Sequence, residues 1–483
     1  MNDWVMQMVV RYKKFGKQEY AYRIWNEKNP ETGKWKQRSE YLGVVVDKEN
    51  GVYEKRNEIK RQQREVLAKE QAILDYGDSY FINSVIEDLP IFTALKGVFG
   101  DYFDTLMVLV MHRLTTEGTA MRLVSDWYNG NFASRLFPDA KVSSQDISRF
   151  LEYLGKEDVQ RAFFGEYIPL VQGEGSGVVI DSTGLPNEIN MPITAWGYHG
   201  GGIEYETRLI LAVNKETERP LYFRYVAGNI GDVSTLANTI AEMKQVGITT
   251  SRALIDAGYF SQANLEMLFE AKINFLIRMP ANRVVYKNII TENLDIESPL
   301  YAVKLGERGL FVKECEIEIY GQTAYAYLVL DPVRRGREIG KAVTAMEDDG
   351  SSIATTSFLN HGKMVLLSSE KLSTTEVLPL YYTRQIAERM FGIAKDDLSI
   401  LPLRIHSEPN FKGFMLLIFI CLIISCELKS RLGNKTSIEQ AVSILRNLKC
   451  KVYDNTIVPS EATKKQRVLL EGCGVLVPKV LGV

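Results

Sequence analysis

The chain is short of the side chains from which metal centres and covalent catalysts are usually built. It has five cysteines and four histidines in 483 residues. Cys315, Cys421, Cys426, Cys450 and Cys473 form no Cys-x-x-Cys pair, which argues against a zinc site, and an odd count argues against a disulfide framework. The N-terminus, Met-Asn-Asp-Trp, lacks the charged-then-apolar pattern of a secretory signal, so a cytoplasmic location is expected. Long apolar runs are scarce. The longest, Phe414 to Cys426, has 13 residues and falls short of the roughly 20 that span a bilayer. It reads as a buried core helix, with no membrane partner. A large excess of one charge is also missing: the net charge of −2 by itself suggests no polyanionic partner.

What is present is ample apolar material, 46% of residues, on a chain long enough for about two to four structural units. The charge is unevenly spread. From Arg11 to Glu70 there are 16 Lys or Arg against 10 Asp or Glu, a local net of +6. That is either a DNA-facing arm or a solvated charged face. Tyr20, Tyr22 and Ile24 alternate, a turn-rich Asn-Glu-Lys-Asn-Pro-Glu-Thr-Gly-Lys follows, and Trp35 and Tyr41 to Val46 resume the pattern, which predicts a β-hairpin. Tyr53 to Tyr76 is charged and helical in pattern. The arm therefore covers 1–76, and a mostly helical region covers 77–170, with Ser143 or Ser144 as a helix cap. A glycine-rich break at 173–177 opens a third region, 171–400. There the order is three strands, a helix of about Ser234 to Val246, a strand, a helix from Gln262 to Lys272 and a strand. That order predicts an α/β, RNase H-like core. A β-rich stretch at about 281–375 reads as an insertion into it, and 401–483 as a helical tail.

Asp181 ends Gly-Val-Val-Ile-Asp and Asp256 ends Arg-Ala-Leu-Ile-Asp. Two carboxylates at neighbouring strand ends can share hard divalent cations; each alone is equally a turn former or a helix cap. Near the end of the third region, Tyr381, Arg384, Glu388 and Lys395 fall within about 60° of one another at 100° per residue, a stripe roughly 21 Å long. Ile386, Met390 and Ile393 lie opposite. A helix with one packed face and one face carrying a carboxylate, two cations and a phenol suits a DNA strand. An amphipathic helix with an Arg384–Glu388 pair accounts for the same charges.

The spacing Tyr-x2-Arg-x3-Glu-x6-Lys resembles the signature of bacterial insertion-sequence transposases of the insertion sequence four group. Ile-Asp-Ser-Thr-Gly around Asp181 and Asp-Ala-Gly-Tyr-Phe at Asp256 look like the family's two aspartate regions, and Gly-Asn-Ile-Gly-Asp-Val-Ser-Thr-Leu between them also looks like family sequence. The likeness covers roughly residues 170 to 483. It departs at Gln385, where many members have Trp, and at Gly392, where a basic residue is common. The resemblance implies a DDE triad of Asp181, Asp256 and Glu388 binding two Mg²⁺ ions, with Mn²⁺ able to substitute. Tyr381, Arg384 and Lys395 would contact DNA phosphates.

The chemistry implied is attack on a phosphodiester by water, and later by a DNA 3′-OH, with two metals stabilising the attacking and leaving oxygens. The expected partners are double-stranded DNA, as terminal inverted repeats and as target, and a second copy of the chain on that DNA. The basic arm and the helices around 140–155 are the candidates for terminal-repeat binding. A catalytically inactive DNA-binding derivative is the alternative, and a carboxylate-pair glycosidase fits poorly with the cationic face around Glu388. Glu188, Asp232, Asp396 and Asp397 compete as acids. Asp396 and Asp397 leave the stripe, and Asp232 is read as a helix cap.

Overall fold

The computed structural model describes residues 8–16, 18–29, 33–55, 72–116, 120–173, 176–199, 202–349, 355–403, 405, 407–453, 456–476, 478 and 480–482. The chain divides into two compact units, Met1–Leu74 with Lys449–Ser460 and Pro478–Val483, and Asp75–Leu448 with Glu461–Val477.

In the first unit, β1 (Val9–Phe15), β2 (Gln18–Lys28), β3 (Trp35–Asp47) and β4 (Val52–Glu54) form an antiparallel sheet in that order. The alternating tyrosines that predict the hairpin lie on β2, and β3 is its second strand. A Cβ at Gly43 would come within 2.6 Å of the Glu54 backbone, so this glycine lets β4 approach. The helix expected over Tyr53 to Tyr76 falls mostly on 56–71, outside the described residues. At its two ends the chain is instead extended, in β4 and in β5 (Ala72–Asp75).

The second unit starts with helices, among them α1 (Gly77–Glu87), α2 (Pro90–Phe99), α3 (Phe103–Thr115), α4 (Val124–Gly130), α5 (Ala133–Leu136), α6 (Ser144–Leu154) and α7 (Glu157–Val171). Ser143 is the cap of α6, its side chain accepting from the Asp146 N–H. A mixed α/β region follows: β6 (Gly177–Pro186), β7 (Ala195–His199), β8 (Gly202–Asn214), β9 (Pro220–Ala227), α8 (Leu236–Gln245), β10 (Arg252–Ile255), α9 (Gln262–Glu270) and β11 (Asn274–Met279). The fully buried runs Val178–Ile180, Ala253–Ile255 and Phe275–Ile277 make β6, β10 and β11 a parallel centre, as expected for strands covered on both faces. β8 lies antiparallel on the other side of β6, and β7 and β9 pair with different stretches of β8.

The β-rich stretch that follows holds α10 (Val284–Glu292), β12 (Ala302–Leu305), β13 (Arg308–Ile319), β14 (Gln322–Leu330), α11 (Pro332–Asp349) and β15 (Lys363–Ser368). It does not stand apart: β15 pairs with β11 and the ladder continues through β14, β13 and β12, so ten strands make one sheet. Next come α12 (Val377–Tyr382), α13 (Gln385–Gly392), α14 (Glu408–Leu432), α15 (Ile438–Arg446), β16 (Lys449–Val452), β17 (Thr456–Pro459), α16 (Lys464–Gly472) and β18 (Leu481–Gly482). The tail is thus not wholly helical; its three strands join β5 in a second sheet of the first unit.

The 13-residue apolar run sits inside α14, a 25-residue helix with Ser407 as its cap. That helix is long and apolar enough to cross a membrane, but 83% of its most apolar window is buried within the protein. α14 crosses α6 at a pair of glycines. A Cβ on Gly413 would overlap the Leu151 carbonyl, and one on Gly155 the Pro409 carbonyl. Gly413→Ala is expected to lower stability by about 1–3 kcal/mol in urea unfolding. Gly165→Ala, in α7 with nothing within 4 Å of the added carbon, should raise it by roughly 0.5–1 kcal/mol. Equal effects would remove the close crossing as the cause.

Candidate active site

β6 and β10 run parallel and in register, from Gly177 beside Arg252 to Ile180 beside Ile255. The next residue on each is an aspartate, so Asp181 and Asp256 stand at the same level. Only β10 ends there. β6 continues to Pro186 because β8 pairs along its length, with Leu211 opposite Asp181. Asp181 is therefore held in mid-strand, beside the edge that β10 leaves free.

The third carboxylate comes from a helix less regular than the sequence suggests. α12 ends at Tyr382, a turn covers Thr383 and Arg384, α13 carries Glu388, and Ile393–Asp397 form a π-helical turn. This wider turn ends the helical segment, and the chain is irregular after it. The four residues nonetheless reach one region. Tyr381 donates its hydroxyl to Asp256 Oδ1 at 3.3 Å, and Lys395 Nζ donates to Thr183 Oγ1 at 2.7 Å. Thr183 lies two residues beyond Asp181 and so on the same face of β6.

Arg384 stands among the carboxylates. Its Nη1 donates to Asp181 Oδ2 at 3.0 Å and lies 3.9 Å from Asp256 Oδ2, while Nη2 is 3.0 Å from Glu388 Oε1. The i,i+4 pair is thus present, and the same guanidinium also reaches the two aspartates. Side-chain exposure rises from 14% at Asp181 through 37% at Asp256 to 53% at Glu388, so the site opens toward the glutamate. Burial pushes the Asp181 carboxyl up to about 6; the Arg384 charge and the Ser182 N–H oppose this, and the Asp256 and Asp232 carboxylates add to it. Burial, and next the Asp256 charge, push the Tyr381 phenol up to about 12. Lys395 is lowered by burial.

Among the described residues, no three acidic, histidine or cysteine side chains lie close enough together to hold a metal ion. The donor set still suits one. All three carboxylates are hard oxygen ligands of the kind Mg²⁺ takes, and they already converge on one positive charge. That charge belongs to Arg384, which would have to turn aside for an ion to share their oxygens.

Of the competing acids, Asp397 pairs with Lys429 at 2.7 Å, and Glu188 is exposed beyond β6. Asp232 corrects the sequence reading. The residue before α8, Thr235, makes no side-chain capping bond, and the Asp232 carboxylate accepts instead from Ser182 Oγ at 2.5 Å and Arg208 Nη1 at 2.9 Å. Arg208 also pairs with Glu206 at 3.2 Å. Asp232 is therefore a fourth acid beside Asp181. A Cβ at Gly258 would come within 2.9 Å of Asp232 Oδ2, so the glycine after Asp256 makes room for it. The likeness of the Gly-Asn-Ile-Gly-Asp segment to family sequence was the one available signal for this role. Arg208 gave none, nor did Arg278 on β11, whose charge acts on Tyr381.

Asp232 is pinned by two donors and cannot swing away from an added methyl group. Gly258→Ala is expected to cost about 1 kcal/mol or more, and much of that cost should vanish in an Asp232→Ala background. A double-mutant cycle in urea reads the coupling, expected above roughly 0.5 kcal/mol; simple additivity would refute the contact.

Comparison with known families places all six candidate residues inside one match: a family described as "Transposase DDE domain" matches residues 172–424. No curated protein matches the chain. Among solved structures the chain is similar to a cryo-EM structure of a piggyBac transposase synaptic complex with hairpin DNA, at 11% identity and a TM-score of 0.42, over 76% of this chain and 78% of that one.

Proposed function

The chain belongs to the transposase DDE domain family, and on that premise we propose that it cuts and joins DNA strands at the ends of an insertion sequence of the insertion sequence four group. The observation that carries this reading is the convergence of Asp181, Asp256 and Glu388 on the single guanidinium of Arg384. The strand order β9–β8–β6–β10–β11 supports an RNase H-like core. In this reading Asp181, Asp256 and Glu388 hold two Mg²⁺ ions, or Mn²⁺ in their place. Bound there, the ions supply Lewis-acid stabilisation of the attacking and leaving oxygens.

The remaining roles belong to the chain's own side chains. Arg384 exchanges its carboxylates for a DNA phosphate, which a guanidinium can grip with two parallel hydrogen bonds. Tyr381 keeps its proton at neutral pH and steadies Asp256 through its hydroxyl, or turns that donor to a phosphate oxygen. Lys395 brings a second cation to the same strand face. Asp232 positions β6 through Ser182. The partners proposed are duplex DNA and a second copy of the chain on it, in the cytoplasm.

A catalytically inactive DNA-binding derivative has one observation in its favour, namely that Arg384 already neutralises the carboxylates. Purified protein, a duplex carrying the inverted repeats that flank its gene, and Mg²⁺ or Mn²⁺ separate the two. The wild type should nick at the repeat boundary. Asp181→Asn and Glu388→Gln should fall by roughly a thousandfold or more, the scale of losing several kcal/mol of metal-borne stabilisation, with DNA binding retained. Binding without any nicking would make the inactive reading correct.

A further inference from the structure

A buried carboxylate lies at the far end of the Asp232 network. Glu206, on β8, has a side chain that is 0% exposed. It stands between Pro186 on β6 and Ala195 on β7. Two glycines make room for it: a Cβ at Gly197 would come within 2.4 Å of Glu206 Oε1, and one at Gly228 within 2.7 Å of its Cγ. Gly228 opens the Gly-Asn-Ile-Gly-Asp segment that Asp232 closes. That segment therefore approaches Glu206 at one end and bonds Ser182 at the other.

An ion pair in a protein interior is often no more stabilising than apolar side chains of the same volume, so fold stability alone does not call for an acid at this position. What the acid does is answer Arg208, whose Nη2 lies 3.2 Å from Glu206 Oε1. The other nitrogen, Nη1, donates to Asp232 Oδ1 at 2.9 Å. The same oxygen accepts from Ser182 Oγ at 2.5 Å, and the Ser182 N–H donates to Asp181 Oδ1 at 2.9 Å. Neighbouring residues of a strand face opposite sides of the sheet, and on the side away from Ser182 the Lys395 ammonium donates to Thr183 at 2.7 Å. Burial lowers this lysine, and the charges of Glu206 and Asp396 oppose the shift. β6 is thus gripped from both faces just past Asp181, and Glu206 bears on both grips.

We propose that Glu206 is a positioning residue for the carboxylate cluster: by fixing Arg208, and through it Asp232, it holds Ser182 and keeps the Asp181 carboxylate level with that of Asp256. The inference rests on the transposase reading, in which Asp181 ligates metal. It adds a partner four links away from that ligand, on a strand outside the three motifs that carry the acids.

The test uses the full-length protein, with Mn²⁺ binding read by electron paramagnetic resonance, single-turnover nicking of the repeat-bearing duplex, and urea unfolding. Glu206→Gln keeps the shape and removes the charge. It should weaken Mn²⁺ binding and slow nicking by about tenfold or more, the scale on which the outer partners of a metal ligand act. The loss should fall on the rate at saturating duplex rather than on the duplex concentration for half-saturation. Glu370→Gln is the control: it breaks the 2.5 Å pair with Arg252, at the end of β10 away from Asp256. It should lower stability yet leave Mn²⁺ binding and nicking within about twofold, as expected for a distant site. If Glu206→Gln does not fold, Glu206→Asp, which keeps the charge and draws it back by one methylene, should show a smaller loss of the same kind. Equal effects from the Glu206 and Glu370 variants, or a stability loss from Glu206 with wild-type Mn²⁺ binding, overturn the proposal. Asp181→Asn separates it from the reading beneath it. If that variant loses Mn²⁺ and the Glu206 variant does not, the positioning role falls and the metal site stands. If Mn²⁺ binding is indifferent to Asp181, the metal reading falls and the role of Glu206 falls with it.

Discussion

Three carboxylates drawn toward one partly buried corner are stabilised by a cation among them, and in this chain that cation is Arg384. Its guanidinium bonds Asp181 on a central strand, approaches Asp256 at the end of the neighbouring strand and pairs with Glu388 one helical turn along its own segment. Burial is what pushes Asp181 upward, the neighbouring carboxylates adding to it and Arg384 opposing it. The helix is thus tied to the sheet through the very groups that would hold metal.

Around that centre the family-like motifs interlock through space. The glycine of Asp256-Ala-Gly-Tyr makes room for Asp232, Asp232 takes the hydroxyl of Ser182, and Ser182 follows Asp181 on its strand. Arg208, from β8, closes the group from the other side. Three stretches far apart in sequence therefore set one another's position. The strand of Asp181 is held to the Asp232 segment by a side-chain bond, and to that of Asp256 by the backbone ladder.

Much of this was legible in the sequence, for identifiable reasons. Buried parallel strands are continuous apolar runs, so β6, β10 and β11 stood out, and Asp256 after the β10 run marked that strand's end. Where reading by local pattern failed, a long-range partner decided. β6 runs past Asp181 because β8 pairs with it, which no feature of Ser182–Pro186 announces. Asp232 looks like a cap because local spacing cannot show that Ser182 and Arg208 have first claim on its oxygens. The stripe from Tyr381 to Lys395 was inferred from uniform helical geometry; the turn at Thr383 and the π-helical turn at Ile393–Asp397 break that uniformity, yet the residues still meet β6 and β10. The tail read as helical because its three strands are only two to four residues long and the first of them, β16, finds its outer neighbour, β5, in the N-terminal part of the chain.

The inserted β-rich stretch has a different bearing. A core ending at β11 would present that strand's full row of unpaired amides and carbonyls to solvent, a template for adding strands from other molecules. β15, β14 and β13 cover the row, and the sheet finishes on β12, only four residues long. The stretch therefore works as a molecular selvedge: it finishes the fabric of the sheet so that the edge of β11 is not left open to strand addition.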